Sequence, residues 1–247
     1  MQCHGYKCEK TALINAHIIP RGFARDMKGD SKHNLLISTS WGVRPSQHGI
    51  YDNDILCACC DGKLGKLDDF ALDVSRRFPS EHRIVKREGR DWFELENVNT
   101  ERFATFLLSV IWRTSICTRP EFARLSLGSY EDLACEVIFG AKGLSQIPSY
   151  QLIVARYQQA GTSFNPADNY SFPAPFKEGS LNVWRFSLNG FLIIAKIDKR
   201  PLPANLEWAS LKSSNMLTGP MQDFFATAEG KAVKQIRATH PYPAKRE

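Results

Sequence analysis

Residues 53–65 read NDILCACCDGKLG, with Cys57, Cys59 and Cys60 falling just ahead of Asp61. A cysteine pair separated by two residues forms a tight knuckle that aims both sulfurs at one ion. A second pair, Cys3 and Cys8, lies in the opening stretch MQCHGYKCEK. Zinc takes four soft ligands in a tetrahedron, and two cysteine pairs on separate turns supply them. The spacing therefore predicts one structural zinc held by Cys3, Cys8, Cys57 and Cys60. Cys59 in place of Cys57, and His4 in place of Cys3, are the alternatives; the two-residue spacing favours Cys57 with Cys60. Five of the seven cysteines lie in the first 60 residues, a clustering that reads as metal ligation rather than disulfides. Cys117 and Cys135 sit alone in apolar stretches and read as small buried hydrophobes.

Working outward, Leu64, Leu67, Phe70, Ala71 and Val74 recur at three- and four-residue spacing and predict a helix over 61–78. Gly62 and Gly65 weaken its start by up to about 1 kcal/mol each relative to alanine. Asp68 follows Asp61 by two helical turns and shares its face. Upstream, NAHIIPRGF at 15–23 reads as a short strand that ends in a turn and buries Ile18 or Ile19. Zinc would pin that strand to the helix, bringing His17, Asn53 and Asp61 into one neighbourhood.

This order of elements resembles the zinc-stabilised ββα-metal, or treble-clef, branch of the HNH endonuclease family. The residues that carry the resemblance are Cys3 and Cys8, His17-Ile18-Ile19-Pro20, Asn53, Leu56-Cys57 with Cys60, and Asp61 with Lys63. It covers roughly residues 1–78. It implies metal-dependent phosphodiester cleavage, with His17 as general base, Asn53 orienting it and Asp61 ligating a catalytic divalent ion such as Mg²⁺ or Mn²⁺. Three positions depart from the family pattern. Ala16 stands where an acidic metal ligand usually precedes the histidine. Asp61 stands where asparagine or histidine is commoner, and the first cysteine pair is spaced by four residues rather than two. Asp68, Asp52 or Asp54 would have to supply the missing ligand. Otherwise the module keeps only a binding or structural role, as a catalytically inactive nucleic-acid- or protein-binding module or a zinc-stabilised subunit of a larger complex.

Residues 26–50 read as a polar loop with a strand near Leu35 to Thr39. RDWFELENV at 90–98 reads as a strand, and Thr100 as the cap of a helix that ends before Pro120. A second helix is expected over 129–139 with Ser129 and Asp132 as a capping box. A strand follows over 150–158, then a loop over 161–180. Asn189-Gly190, between two β-rich runs, is a strong hairpin signal. A last helix is expected over 220–237. The chain thus divides into a zinc-stabilised module at 1–80 and an α+β domain with a β-hairpin at 97–240, whose role would be substrate or partner recognition. Fusion of a nuclease-like module to another domain suggests, by analogy, a bacterial or phage defence or conflict effector.

Composition is ordinary for a globular protein, with 43% hydrophobic and 23% charged residues. No apolar run reaches the ~18 residues of a membrane helix, and the N-terminus is too polar for a signal peptide. The expectation is a cytoplasmic protein with no membrane partner. A net charge of +6 suits a nucleic-acid partner, with DNA favoured and a protein partner available to the second domain. Arg21, Arg25, Lys28, Lys32 and Arg44 would face the phosphate backbone, and His33 and His48 could join them.

Overall fold

The computed structural model describes residues 1–28, 34–38, 42–46, 49–147, 150–158 and 170–239. The first strand, β1 (Leu13–His17), ends at the Ile18-Ile19-Pro20 turn and gives way to α1 (Arg21–Lys28). A two-stranded hairpin follows, β2 (Asn34–Ser38) and β3 (Gly42–Ser46), where the sequence predicts a strand inside a loop. His33, His48 and Lys32 lie outside the described residues. Next, β4 (Tyr51–Cys57) returns antiparallel to β1, with an irregularity in register opposite Ile14 to Ala16. Then α2 (Ala58–Glu81) begins on the residue after Cys57. It starts three residues earlier than its apolar spacing indicates, because the knuckle itself is helical. It buries Cys60, Leu64, Ala71, Val74 and Phe78 along one stripe.

Beyond it come β5 (Arg83–Arg87) and β6 (Arg90–Glu96), then α3 (Thr100–Ser115) and α4 (Glu131–Ile138). They are followed by β7 (Tyr150–Gln158), β8 (Ala174–Glu178), β9 (Leu181–Leu188) and β10 (Phe191–Ile197). The chain continues with α5 (Ala204–Glu207), β11 (Met216–Asp223) and α6 (Ala228–Thr239). Seven of these strands form one sheet in the order β5-β6-β11-β7-β10-β9-β8. Every neighbouring pair is antiparallel except β11 and β7. The fold is therefore mixed α+β.

Asn189 and Gly190 form the two-residue turn of the β9–β10 hairpin, with φ of +46° and +79°. Both left-handed values match a type I′ turn, whose twist suits the flanking strands. Several other expectations need correction. Asn99, not Thr100, caps α3, accepting from the Arg102 N–H at 2.9 Å. The Thr100 hydroxyl instead donates to the carbonyls of Lys212 and Ser214. Ser129 lies in a 3-10 turn, and α4 starts at Glu131 with no side-chain cap. Residues 174–178, expected as loop, are the edge strand β8, where Pro175 is tolerated because one side of an edge strand needs no donor. Residues 220–223, expected as helix, belong to β11, because β6 and β7 offer pairing on both its sides. The helix begins only at Ala228.

One buried apolar cluster runs from Cys3 to Leu217. Phe78 of α2 meets Phe93 of β6 and Phe191 of β10 edge-on at 5.3 and 5.0 Å. Residues 83–96, between the two expected regions, form the β5–β6 hairpin at the sheet's edge. The central helix, α3, is buried nearly all round and packs on both α2 and α4. Among the described residues, no helix is long and apolar enough to cross a membrane.

Candidate metal centre and the His17 cluster

Cys3 and Cys8 flank a small loop that closes with the Cys8 N–H donating to the Gly5 carbonyl at 3.0 Å. Lys7 takes φ +50° there, which turns the chain back within a four-residue spacing. Cys57 ends β4, and Cys60 lies in the first turn of α2. The Sγ atoms of Cys3, Cys8, Cys57 and Cys60 all lie within 4.8 Å of one another. Those of Cys8 and Cys57 are 3.7 Å apart. A tetrahedron of sulfurs at the usual zinc–sulfur distance of about 2.3 Å has edges of about 3.8 Å. The fit is thus tested by geometry as well as by donor chemistry, and these four residues could hold a metal ion. Four thiolates select a soft ion and are compatible with a closed, structural zinc site.

The surroundings act on the four thiols in opposite directions. The Cys3 sulfur accepts from the N–H groups of Gly5 and Cys57 at 3.4 and 3.3 Å. Gly5 approaches so closely that a Cβ there would meet the Cys60 Sγ at 2.3 Å. Burial pushes the Cys3 and Cys60 thiols up. Burial opposes ionisation of Cys57 as well, but hydrogen bonds from the Cys60 N–H and the other three thiols pull it down to about 7. The two alternatives fall away: Cys59 is exposed and outside the group, and so is His4. Cys117 and Cys135 are buried, as expected of small hydrophobes.

Comparison with protein-family models, with curated proteins and with solved structures finds no match for this chain. Its chemistry must be argued from its own residues.

His17 is half-buried at the end of β1, opposite Tyr51 in register, with the two rings 6.0 Å apart. Its carbonyl accepts from Arg113 Nη1 at 3.2 Å. Arg113, on α3, is 1% exposed. It pairs with both carboxylate oxygens of Asp68, Nη1 at 3.0 Å and Nη2 at 2.7 Å. Ser109 accepts from it through its carbonyl and its hydroxyl. Asp61 is half-buried in the first turn of α2; burial pushes its carboxyl up, Arg113 opposes that, and Asp68 adds to it. His17, Asp61 and Asp68 therefore share Arg113 as a common electrostatic neighbour. Asn53 is exposed on β4, two residues from Tyr51. Among the described residues, the four cysteines are the group of three or more His, Cys, Asp or Glu ligand atoms close enough to hold an ion. His17, Asp61 and Asp68 form no second such group.

Two side chains that organise this region escape sequence reading. Arg113 reads in the sequence as a helix residue beside Trp112, yet a charge at a buried position of a mostly buried helix demands a buried partner. Asp52 is 3% exposed and is the register partner of Ala16. Its carboxylate accepts from the Asp54 and Thr118 N–H groups, the Thr118 hydroxyl and the Cys117 thiol. Burial pushes the Asp52 carboxyl up, but those hydrogen bonds outweigh it and hold the carboxyl below its ordinary range. Its acceptors serve the fold, tying β4 to the segment after α3.

Proposed function

We propose that this chain is a metal-dependent endonuclease of the HNH type, cleaving nucleic-acid phosphodiester bonds with DNA favoured. The arrangement of Cys3 and Cys8, β1, β4, the second cysteine pair and α2 supports a zinc-bound treble-clef ββα module. The observation that carries the proposal is the link of both elements to Arg113: it donates to the His17 carbonyl on β1, which pairs with the Cys57 strand, and its charge acts on Asp61 of α2, which holds Cys60. Zinc held by Cys3, Cys8, Cys57 and Cys60 would fix those two elements and take no part in the chemistry. His17, as a neutral imidazole, would accept a proton from the attacking water, and Asn53, exposed on the strand paired with β1, would orient it. Asp61 would hold a divalent ion, whereas Asp68 commits both oxygens to Arg113. Mg²⁺ or Mn²⁺, when bound, would neutralise charge on the scissile phosphate. The exposed Arg21 and Arg25 of α1, just past the His17 turn, favour a polyanion. Residues 97–240 would select the substrate or a protein partner, as in a bacterial or phage defence effector.

A second reading has its own observation. Ala16 is fully buried, where the family carries an acidic ligand. That favours a module that binds nucleic acid or a partner without cutting. A plasmid-cleavage assay with and without Mg²⁺ or Mn²⁺ separates the two. Metal-dependent cutting that His17→Ala abolishes, at unchanged zinc content, is the expected result. Salt-sensitive DNA binding by zinc-loaded wild type without any cutting would sink the nuclease in favour of the binding module.

A further inference from the structure

We propose that Arg113 is a positioning residue of the His17 site, so that α3, far along the chain, completes what the cysteine module begins. The inference rests on the nuclease reading for its kinetic consequence, but its structural part stands alone. Each of the three guanidinium nitrogens donates: Nε to the Ser109 carbonyl at 3.3 Å, Nη1 to the His17 carbonyl and Asp68, and Nη2 to Asp68 and the Ser109 hydroxyl. A planar, five-donor fork held at that many points has one orientation. The His17 carbonyl is the last main-chain acceptor of β1, so the fork sets where the strand ends and how its imidazole is presented. The same fork holds Asp68 of α2, two turns beyond Asp61, and so sets the strand against the helix. Its burial at 1% exposure means water does not compete for these bonds.

Lysine keeps the charge but has no fork, so Arg113→Lys cannot hold both Asp68 oxygens and the His17 carbonyl together. Arg76 provides the matched control: it makes an equally two-pronged pair with Asp26, at 2.6 and 2.9 Å, but on the exposed surface. The experiment records histidine-ring NMR spectra of the full chain, with the His17 signal assigned by its loss in His17→Gln, alongside zinc content and steady-state cleavage. Arg113→Lys is expected to move the His17 signal and lower kcat by about 10- to 100-fold at unchanged KM, the loss typical when a group supporting a reacting residue is changed. Zinc content stays at the wild-type level, and Arg76→Lys changes none of these. An unmoved His17 signal with unchanged kcat in folded Arg113→Lys overturns the proposal. If that variant does not fold, Asp68→Asn, which weakens the fork without removing it, is expected to move the signal the same way by less; an unmoved signal there overturns it too. Wild type that cuts nothing ends the nuclease reading, while the His17 signal still decides whether Arg113 positions it.

Discussion

Arg113 of α3 and Asp68 of α2, 45 residues apart, form a two-pronged ion pair at 3.0 and 2.7 Å. The arginine is 1% exposed and the aspartate side chain 17%. Water therefore screens the pair little, and removing one partner strands a buried charge. Asp68→Ala is expected to lower stability by about 3–5 kcal/mol, the range found when one half of a buried pair is lost. Denaturant unfolding of the zinc-loaded protein measures it. A cost below ~1 kcal/mol, as for a surface pair, would mean the guanidinium finds water or another acceptor.

Asp52 gives a pH signature. Its folded carboxyl lies below the ordinary value, so it contributes stability that is present above the unfolded value near 3.8 and is lost as pH falls through the folded one. Asp52→Asn is expected to cost about 1–3 kcal/mol at neutral pH, the usual penalty for weakening buried hydrogen bonds. The gap between wild type and variant should narrow on acidification below about pH 4, where Asp52 of the unfolded chain takes up its proton, until the folded carboxylate is protonated at lower pH. Unfolding curves across the acid range check this, and a gap that stays constant down to pH 2 would contradict it.

Gly5 tests the shape of the first knuckle. Alanine there would bring a Cβ to 2.3 Å from the Cys60 sulfur, so the loop or the ligand must shift. Gly5→Ala is expected to weaken zinc binding by about 10- to 100-fold, as changes just behind metal ligands do. Competition with a chromophoric chelator reads the affinity. Wild-type affinity in the variant would show that the loop sits farther from Cys60 than the structure has it.

The parts legible in the sequence are those whose cause is local. Cys57 and Cys60 announce their knuckle by spacing, Leu64 to Val74 announce α2 by periodicity, and Asn189-Gly190 announces a turn by its backbone preference. What stayed hidden depends on partners far along the chain. Arg113 finds Asp68 and His17 only after α3 packs on α2, and Asp52 finds Thr118 across 66 residues. The strand at 216–223 forms because β6 and β7 leave a gap that pairs it on both sides, which no local propensity encodes. Of the residues singled out in the sequence, His17 meets Arg113 through its main-chain carbonyl, and Asp61 feels the Arg113 charge. Asn53 sits exposed on its strand, and the arginine that holds Asp68 lies 45 residues along the chain, beyond the reach of local pattern.

The four sulfurs of Cys3, Cys8, Cys57 and Cys60 lie close enough to hold one ion, and the proposed function rests on that ion fixing β4 against α2. The most direct test is metal analysis of the purified full chain, together with the absorption spectrum after cobalt replacement. One zinc per chain and a tetrahedral four-thiolate cobalt spectrum are expected, lost in Cys57→Ser with unfolding of the β1–β4–α2 unit but retained in Cys59→Ser. A folded protein that carries no metal, or that keeps its site in Cys57→Ser and loses it in Cys59→Ser, would contradict that expectation.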